Sequence, residues 1–189
     1  MISGGLSLAL LLLVFPVHAQ TWDLPALMET MAQVRSSQAR FVETRHIALL
    51  TGPVELQGTL SYERPHRLAK HVQSPIDELL SVDGDALTVV NTRGEKRVVS
   101  LREQPAAGAL VASVRATLAG DLGELKRHYE ADLEGARAAW RLRLVPRDRQ
   151  VRRHVASITL AGAGARVQRI ESLETSGDRS LMTILHDGK

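Results

Sequence analysis

The chain has 189 residues, 44% of them hydrophobic, 24% charged and 3% aromatic, which describes a globular protein and not a disordered one. Its 24 Lys and Arg against 21 Asp and Glu leave a net charge of only +3, too little to mark a polyanion binder. The absence of cysteine excludes a disulfide scaffold, a thiolate metal site, a thiol nucleophile and a lipid-modified N-terminal Cys, and the length suits one domain with a sizeable core.

Residues 6–17 are almost entirely apolar and run into Val17-His18-Ala19 and the polar Gln20. So short an apolar run before a small-residue site reads as an export signal at 1–19, with the mature domain over 20–189. It falls short of the roughly 20 residues a membrane-spanning helix requires. Thr21 or Asp23 can then cap a helix with Pro25 in its first turn, where Leu24, Leu27, Met28, Met31 and Val34 recur at spacings of three and four.

Strand signals follow. Residues 40–50 and the Thr51-Gly52-Pro53 turn lead into 54–62, where Val54, Leu56, Gly58, Leu60 and Tyr62 share one parity and Glu55, Gln57, Thr59 and Ser61 the other. Such alternation specifies a sheet with one dry face. Short candidates at 68–72, 78–82, 86–91 and 97–101 are punctuated by Ser74-Pro75, Asp83-Gly84 and Arg93-Gly94, as in an antiparallel meander. The spacing predicts a helix over 109–118 with Leu110, Val111, Val114 and Leu118 on one face and a stop at Gly120. Asp121-x-x-Glu124 resembles a capping box for a short helix reaching His128. Beyond it, Ala138, Trp140, Leu142 and Leu144 alternate with Arg137, Ala139, Arg141 and Arg143, and strands are predicted near 157–160, 166–173 and 180–186. A sheet of about ten strands curls, and its dry face must be filled by its own side chains, by helices or by a ligand. The residues alone leave a packed core and an apolar cavity both open.

The run Gly58-Thr59-Leu60-Ser61-Tyr62-Glu63-Arg64-Pro65, followed by Pro75, Asp83-Gly84-Asp85-Ala86-Leu87 and Asn91, resembles the LolA family of periplasmic lipoprotein carriers, with its G-x-L-x-x-x-R-P and D-G-x-x-L pattern. More loosely, the likeness extends over the mature chain through Phe41 and the strand carrying Trp140, Leu142, Leu144 and Pro146. The resemblance implies an α+β fold, an incomplete, strongly curved antiparallel β-barrel under a helical lid. It also implies a periplasmic carrier, not an enzyme and without a cofactor, that shields acyl chains of lipoproteins or related lipids for transfer between inner and outer membranes. Its partners by resemblance are an inner-membrane ABC-type release complex and an outer-membrane acceptor, with the carrier itself a monomer. Met28, Met31, Phe41, Leu56, Leu60, Tyr62, Leu68, Trp140, Leu142 and Leu144 are the candidate cavity wall. Arg64 is the candidate latch, since the family's matching arginine hydrogen-bonds to the lid; a solvated turn arginine ahead of Pro65 is the alternative.

The chain also departs from the family. Ser61, Leu68, Lys70 and Thr88 stand where aromatics are usual, and the sequence runs only a few residues past His186, short of the family's usual last strand and Pro-rich loop. Another amphiphile as cargo, or a lipid-sensing regulatory module of the same fold, therefore stands beside lipoprotein transport. Arg137, Arg141, Arg143, Arg147, Arg149, Arg152 and Arg153 form a basic tract that reads either as a docking surface or as the wet side of a hairpin. No exposed aromatics interleave with bases to suggest nucleic-acid recognition. The histidines lack metal-ligand spacing, no GxSxG elbow occurs, and Glu43, Glu55, Glu63, Asp77 and Glu78 read as solvated strand-edge carboxylates.

Overall fold

The computed structural model describes residues 22–186; the export signal read at 1–19 lies outside them. Helix α1 (Leu24–Met31) starts where the Asp23 carboxylate accepts a hydrogen bond from the Ala26 amide at 3.0 Å, satisfying one of the free N–H groups of the first turn. It buries Leu27, Met28 and Met31, while Val34 lies beyond its end.

Eleven strands form one antiparallel sheet. They are β1 (Ser36–His46), β2 (Val54–Glu63), β3 (Arg67–Ser74), β4 (Glu78–Asp83), β5 (Ala86–Val90), β6 (Lys96–Ser100), β7 (Tyr129–Ala136), β8 (Ala139–Pro146), β9 (Val155–Ala163), β10 (Arg166–Glu174) and β11 (Arg179–Leu185). The spatial order is β6-β5-β4-β3-β2-β1-β11-β10-β9-β8-β7. Each half is thus a meander, and the two halves join where β1 pairs with β11. Among the described residues strands β6 and β7 are unpaired edges, so the barrel is incomplete. Register shifts at Gln57/Gly58 and twice between β9 and β10 add the local twist that bends such a sheet.

The chain crosses between those two edges by a 3₁₀ turn (Leu101–Glu103) and helices α2 (Pro105–Ala119) and α3 (Leu122–His128). The strand order therefore dictates that these helices span the sheet. Helix α2 packs on β9 and on α1, and at its other side Arg115 donates to the Gly84 carbonyl in the β4–β5 turn at 2.7 Å. Gly120, at φ +68°, ends α2, and the Asp121 carboxylate accepts from the Glu124 amide at 2.8 Å to start α3.

Three sequence expectations are corrected. The buried face of α2 is Ala109, Ser113, Ala116 and Thr117, while the expected Leu110, Val114 and Leu118 pack only partly buried along its flanks. Small residues let the helix settle closely among its neighbours, and the Tyr129 hydroxyl donates to the Ala109 carbonyl at 2.7 Å. Strand β7 was not foreseen, although Tyr129, Ala131 and Leu133 alternate with Glu130, Asp132 and Glu134; acidic residues have low strand propensity and masked the period. Strand β1 begins at Ser36, four residues earlier than expected, because Ser36–Ala39 pair with Leu60–Glu63. A short helix, α4 (Arg149–Arg152), capped by Asp148, also falls between β8 and β9.

Candidate functional site: an apolar sheet face and its helical cover

Register places the sequence-predicted apolar residues on one continuous face. Phe41 lies opposite Gly58 and Ile184, Leu60 opposite Lys70, Tyr62 opposite Leu68, and Leu142 opposite Leu160. Two clusters share this face. In the first, α1, α2 and α3 close over β7–β9, and Leu27, Met31, Leu125, Leu142, Leu144, Ile158 and Leu160 are fully buried. Met28 and Trp140 belong to it as well. Gly162 makes room for the Trp140 ring, where any Cβ would come within 2.8 Å, and the indole N–H donates to the Gly164 carbonyl at 2.9 Å.

The second cluster has Phe41, Val72 and Met182 at its base, with Leu56, Leu60 and Leu80 packed on them. Ile170 and Ile184 touch both clusters and join them. The helices pack chiefly against β7–β9, and over the other half Leu56, Leu60, Leu68, Leu80, Leu87 and Val89 stay half-buried. The predicted wall is thus divided. Met28, Met31, Trp140, Leu142 and Leu144 lie in the helix-covered core, whereas Phe41, Leu56, Leu60, Tyr62 and Leu68 lie on the half with less cover. The Tyr62 side chain is buried and its hydroxyl makes no hydrogen bond with any described residue. Burial raises its pKa despite the nearby Arg64 charge.

Arg64 sits just past β2, and its guanidinium joins the two helix ends. Nη1 donates to the carbonyl of Ala32, the C-cap of α1, and Nη2 donates to the carbonyl of Ala119, the last residue of α2, at 3.1 Å. The final carbonyls of a helix lack intrahelical partners, and a fork of fixed N–H donors suits them. The same corner is closed by Gly120, where an added Cβ would stand 2.3 Å from the Met28 carbonyl oxygen and 2.7 Å from the Ala32 Cβ.

One group on the apolar face departs from the sequence expectation. Glu43 is no solvated strand-edge carboxylate: it is 2% exposed, and it shares the parity of Phe41, which is the signal that could have found it. Its Oε1 accepts from Arg45 Nε at 2.7 Å and from the Ser180 hydroxyl at 2.6 Å, and its Oε2 accepts from Lys70 Nζ. Burial alone would raise the Glu43 carboxyl, but the Lys70 and Arg45 charges and these hydrogen bonds outweigh it and hold the pKa below 4.5. Desolvation lowers the Lys70 pKa even though Glu43 opposes it. The ammonium also lies 4.9 Å from the centre of the Phe41 ring, a cation–π contact. Lys70 reaches Glu43 diagonally across Gly58, whose missing side chain leaves the way clear; a Cβ there would strike the His71 carbonyl oxygen at 1.8 Å.

On the opposite face a groove of about 710 Å³ crosses β1–β5. Its walls include Gln38, Ser61, Ala69, Ser81 and Thr88, and at its rim Arg67 lies 3.7 Å from both Glu63 and Asp83. Two of the four family departures, Ser61 and Thr88, therefore shape a polar surface, while Leu68 and Lys70 alter the apolar one. The basic tract is the wet side of β8 and its flanks: Arg141 and Arg143 stand opposite Glu134 and Asp132 of β7. No described helix is long and apolar enough to cross a membrane.

The chain is similar to several known proteins. Among solved structures, a LolA superfamily protein from Nitrosomonas europaea is similar at 14% identity and TM-score 0.46, over 89% of this chain and 96% of that one. A putative outer membrane lipoprotein-sorting protein domain from Vibrio parahaemolyticus gives 7% identity and TM-score 0.47, over 85% and 88% of the two chains. The Pseudomonas aeruginosa MucA/MucB complex gives 16% and 0.41, over 85% of this chain but 53% of that one, so this chain spans about half of that protein's length. No curated protein matches the sequence. The family model described as outer membrane lipoprotein carrier protein LolA-like matches residues 17–187, and with nearly the whole chain inside that match, the protein belongs to the LolA-like family of binding and carrier proteins.

Proposed function

We propose that this protein is a periplasmic carrier that shields the acyl chains of a lipoprotein or related lipid on its apolar sheet face and passes them from the inner to the outer membrane, without catalysing a reaction. The observation that carries the reading is the Arg64 contact with the carbonyl ends of α1 and α2, the helices that cover this face. A carrier must hold apolar surface and also let it go. Burying one CH₂ contributes about 0.8 kcal/mol, so a few acyl chains bind tightly unless a closed, empty state competes with them. A latch between the sheet rim and both helix ends supplies that competitor. Each hydrogen bond contributes on the order of 1 kcal/mol, equivalent to roughly a fivefold shift in an open–closed equilibrium.

In this mechanism cargo enters as α1 and α2 lift together, because Gly120 ties the end of α2 to the last turn of α1. Acyl chains then lie over Phe41, Leu56, Leu60, Tyr62, Leu68 and Leu80. Closure of the latch returns the helices to the sheet and weakens the cargo's hold at the acceptor. Substituting Arg64→Leu favours the open state, so cargo is taken up but handed over slowly.

The test is native mass spectrometry of protein recovered from the periplasm, with extraction of any bound lipid, together with transfer from donor to acceptor membranes. The reading expects a copurifying amphiphile and slower hand-over by Arg64→Leu. Hand-over by that variant at the wild-type rate contradicts the latch. A stable stoichiometric complex with a membrane protein and no lipid transfer would instead favour a regulatory module.

A further inference from the structure

Among the described residues, Glu43 is the one fully buried charged side chain, and it stands on the apolar face that the carrier reading assigns to cargo. Both its oxygens are occupied, by Arg45 and Ser180 on one side and Lys70 on the other. The donors around it are not used up. Lys70 places one N–H on Glu43 and rests over the Phe41 ring, and Arg45 engages Glu43 through Nε while its two Nη groups donate to none of the described residues. Lys70 is 17% exposed at its side chain, and its cross-strand neighbours are Leu60 and Leu80. The spare N–H donors of Lys70 and Arg45 therefore stand at the edge of an aliphatic surface. The nearest opposing group is Glu78, on the same face opposite Val72 and close enough to act on Lys70.

We infer that Lys70 and Arg45 form a headgroup site, so that the second apolar cluster takes an acyl chain ending in an anionic carboxylate or phosphate. The tail lies over Leu60 and Leu80, and the anion meets the free N–H groups of Lys70 and Arg45 while Glu43 fixes both cations in place. Charge-assisted hydrogen bonds of this kind are about twice as strong as neutral ones. A neutral ester of the same tail offers the apolar contact without them. This inference rests on the carrier reading for the tail and adds the chemistry of the head.

The experiment displaces the fluorescent fatty acid cis-parinarate from the full chain with palmitate, with methyl palmitate, and with acetate or inorganic phosphate alone. The site predicts that palmitate competes about tenfold better than its methyl ester and that the free anions do not compete. In Lys70→Met that preference collapses toward equality with methyl palmitate binding retained, and in Glu78→Gln it grows. The conservative Lys70→Arg keeps it, and the Glu43→Gln/Lys70→Met pair, which leaves no uncompensated acid, guards against misfolding of the single variant. Equal competition by palmitate and its ester in the wild type, an undiminished preference in Lys70→Met, or competition by phosphate alone overturns the headgroup site while leaving tail binding intact. Failure of both palmitate and its ester to bind overturns the carrier reading along with it.

Discussion

Glu43 bears on stability as well as on binding. A buried ion pair contributes little relative to an apolar replacement, but removing one partner leaves the other charge uncompensated, at a cost of roughly 3–5 kcal/mol. Glu43→Leu is therefore expected to lower chemical-denaturation stability by about 3 kcal/mol, the lower end because Arg45 reaches solvent, and the double substitution Glu43→Leu/Lys70→Met to recover most of the loss. Additive losses in that double-mutant cycle would contradict the coupling. The sign of the pH effect follows from the lowered carboxyl pKa. Between the folded pKa and the unfolded value the unfolded chain binds more protons, so the contribution is fully present above about pH 4.5 and lost as pH falls through the folded pKa. Glu43→Gln should flatten this acid limb in melts taken across about pH 3–6, the window around the ordinary carboxylate range. Tyr62 behaves differently, because its hydroxyl has no protein partner to lose. Tyr62→Phe is expected to leave the melting temperature unchanged or raise it, and a loss of more than about 1 kcal/mol would reveal a hydrogen bond at that oxygen.

At the scale of elements, the corner between α1 and α2 is the most constrained junction. Gly120 combines a left-handed backbone with an approach to Met28 and Ala32 that no Cβ fits. The conformation alone costs a non-glycine residue about 1–2 kcal/mol, so Gly120→Ala is expected to lose at least that much in thermal melts and to raise amide exchange in the last turns of both helices. Unchanged exchange there would mean that the corner does not hold the helices together. The elements themselves were legible to different degrees. The Asp23 and Asp121 caps, the stop at Gly120 and the alternation of β2 and β8 are local signals, and local physics settled them. The face of α2 was not, because closeness to Tyr129 and α1 decided it in favour of small residues over Leu110 and Val114. In the same way β7 depended on pairing with β8, which supplies arginines opposite its acids. At the candidate site the aliphatic parity could be read from the chain and Arg64 was singled out only through the family likeness, while Glu43 required recognising that a carboxylate in a half-polar strand shares the parity of Phe41.

The whole molecule is organised by one long-range decision, the pairing of β1 with β11. It makes a single curved sheet of two meanders, puts the unpaired edges at β6 and β7, and requires the helices between them to travel across the dry face. A curled sheet of about ten strands followed from alternation, and the incomplete barrel under helices from the family likeness, but the strand order did not, since nothing local in Ser36–His46 names residues 179–185 as its partner. This topology also explains why the cover is uneven: α1, α2 and α3 fill the β7–β9 half, and the second cluster keeps half-buried aliphatic surface. In the proposed carrier that surface becomes an acyl site when the Arg64 latch opens. Equilibrium titration of cis-parinarate into the wild type and Arg64→Leu tests it most directly. The account predicts saturable one-to-one binding that tightens roughly fivefold or more in Arg64→Leu, as removal of a competing closed state requires; absence of saturable binding in both proteins, or equal affinities, would contradict it.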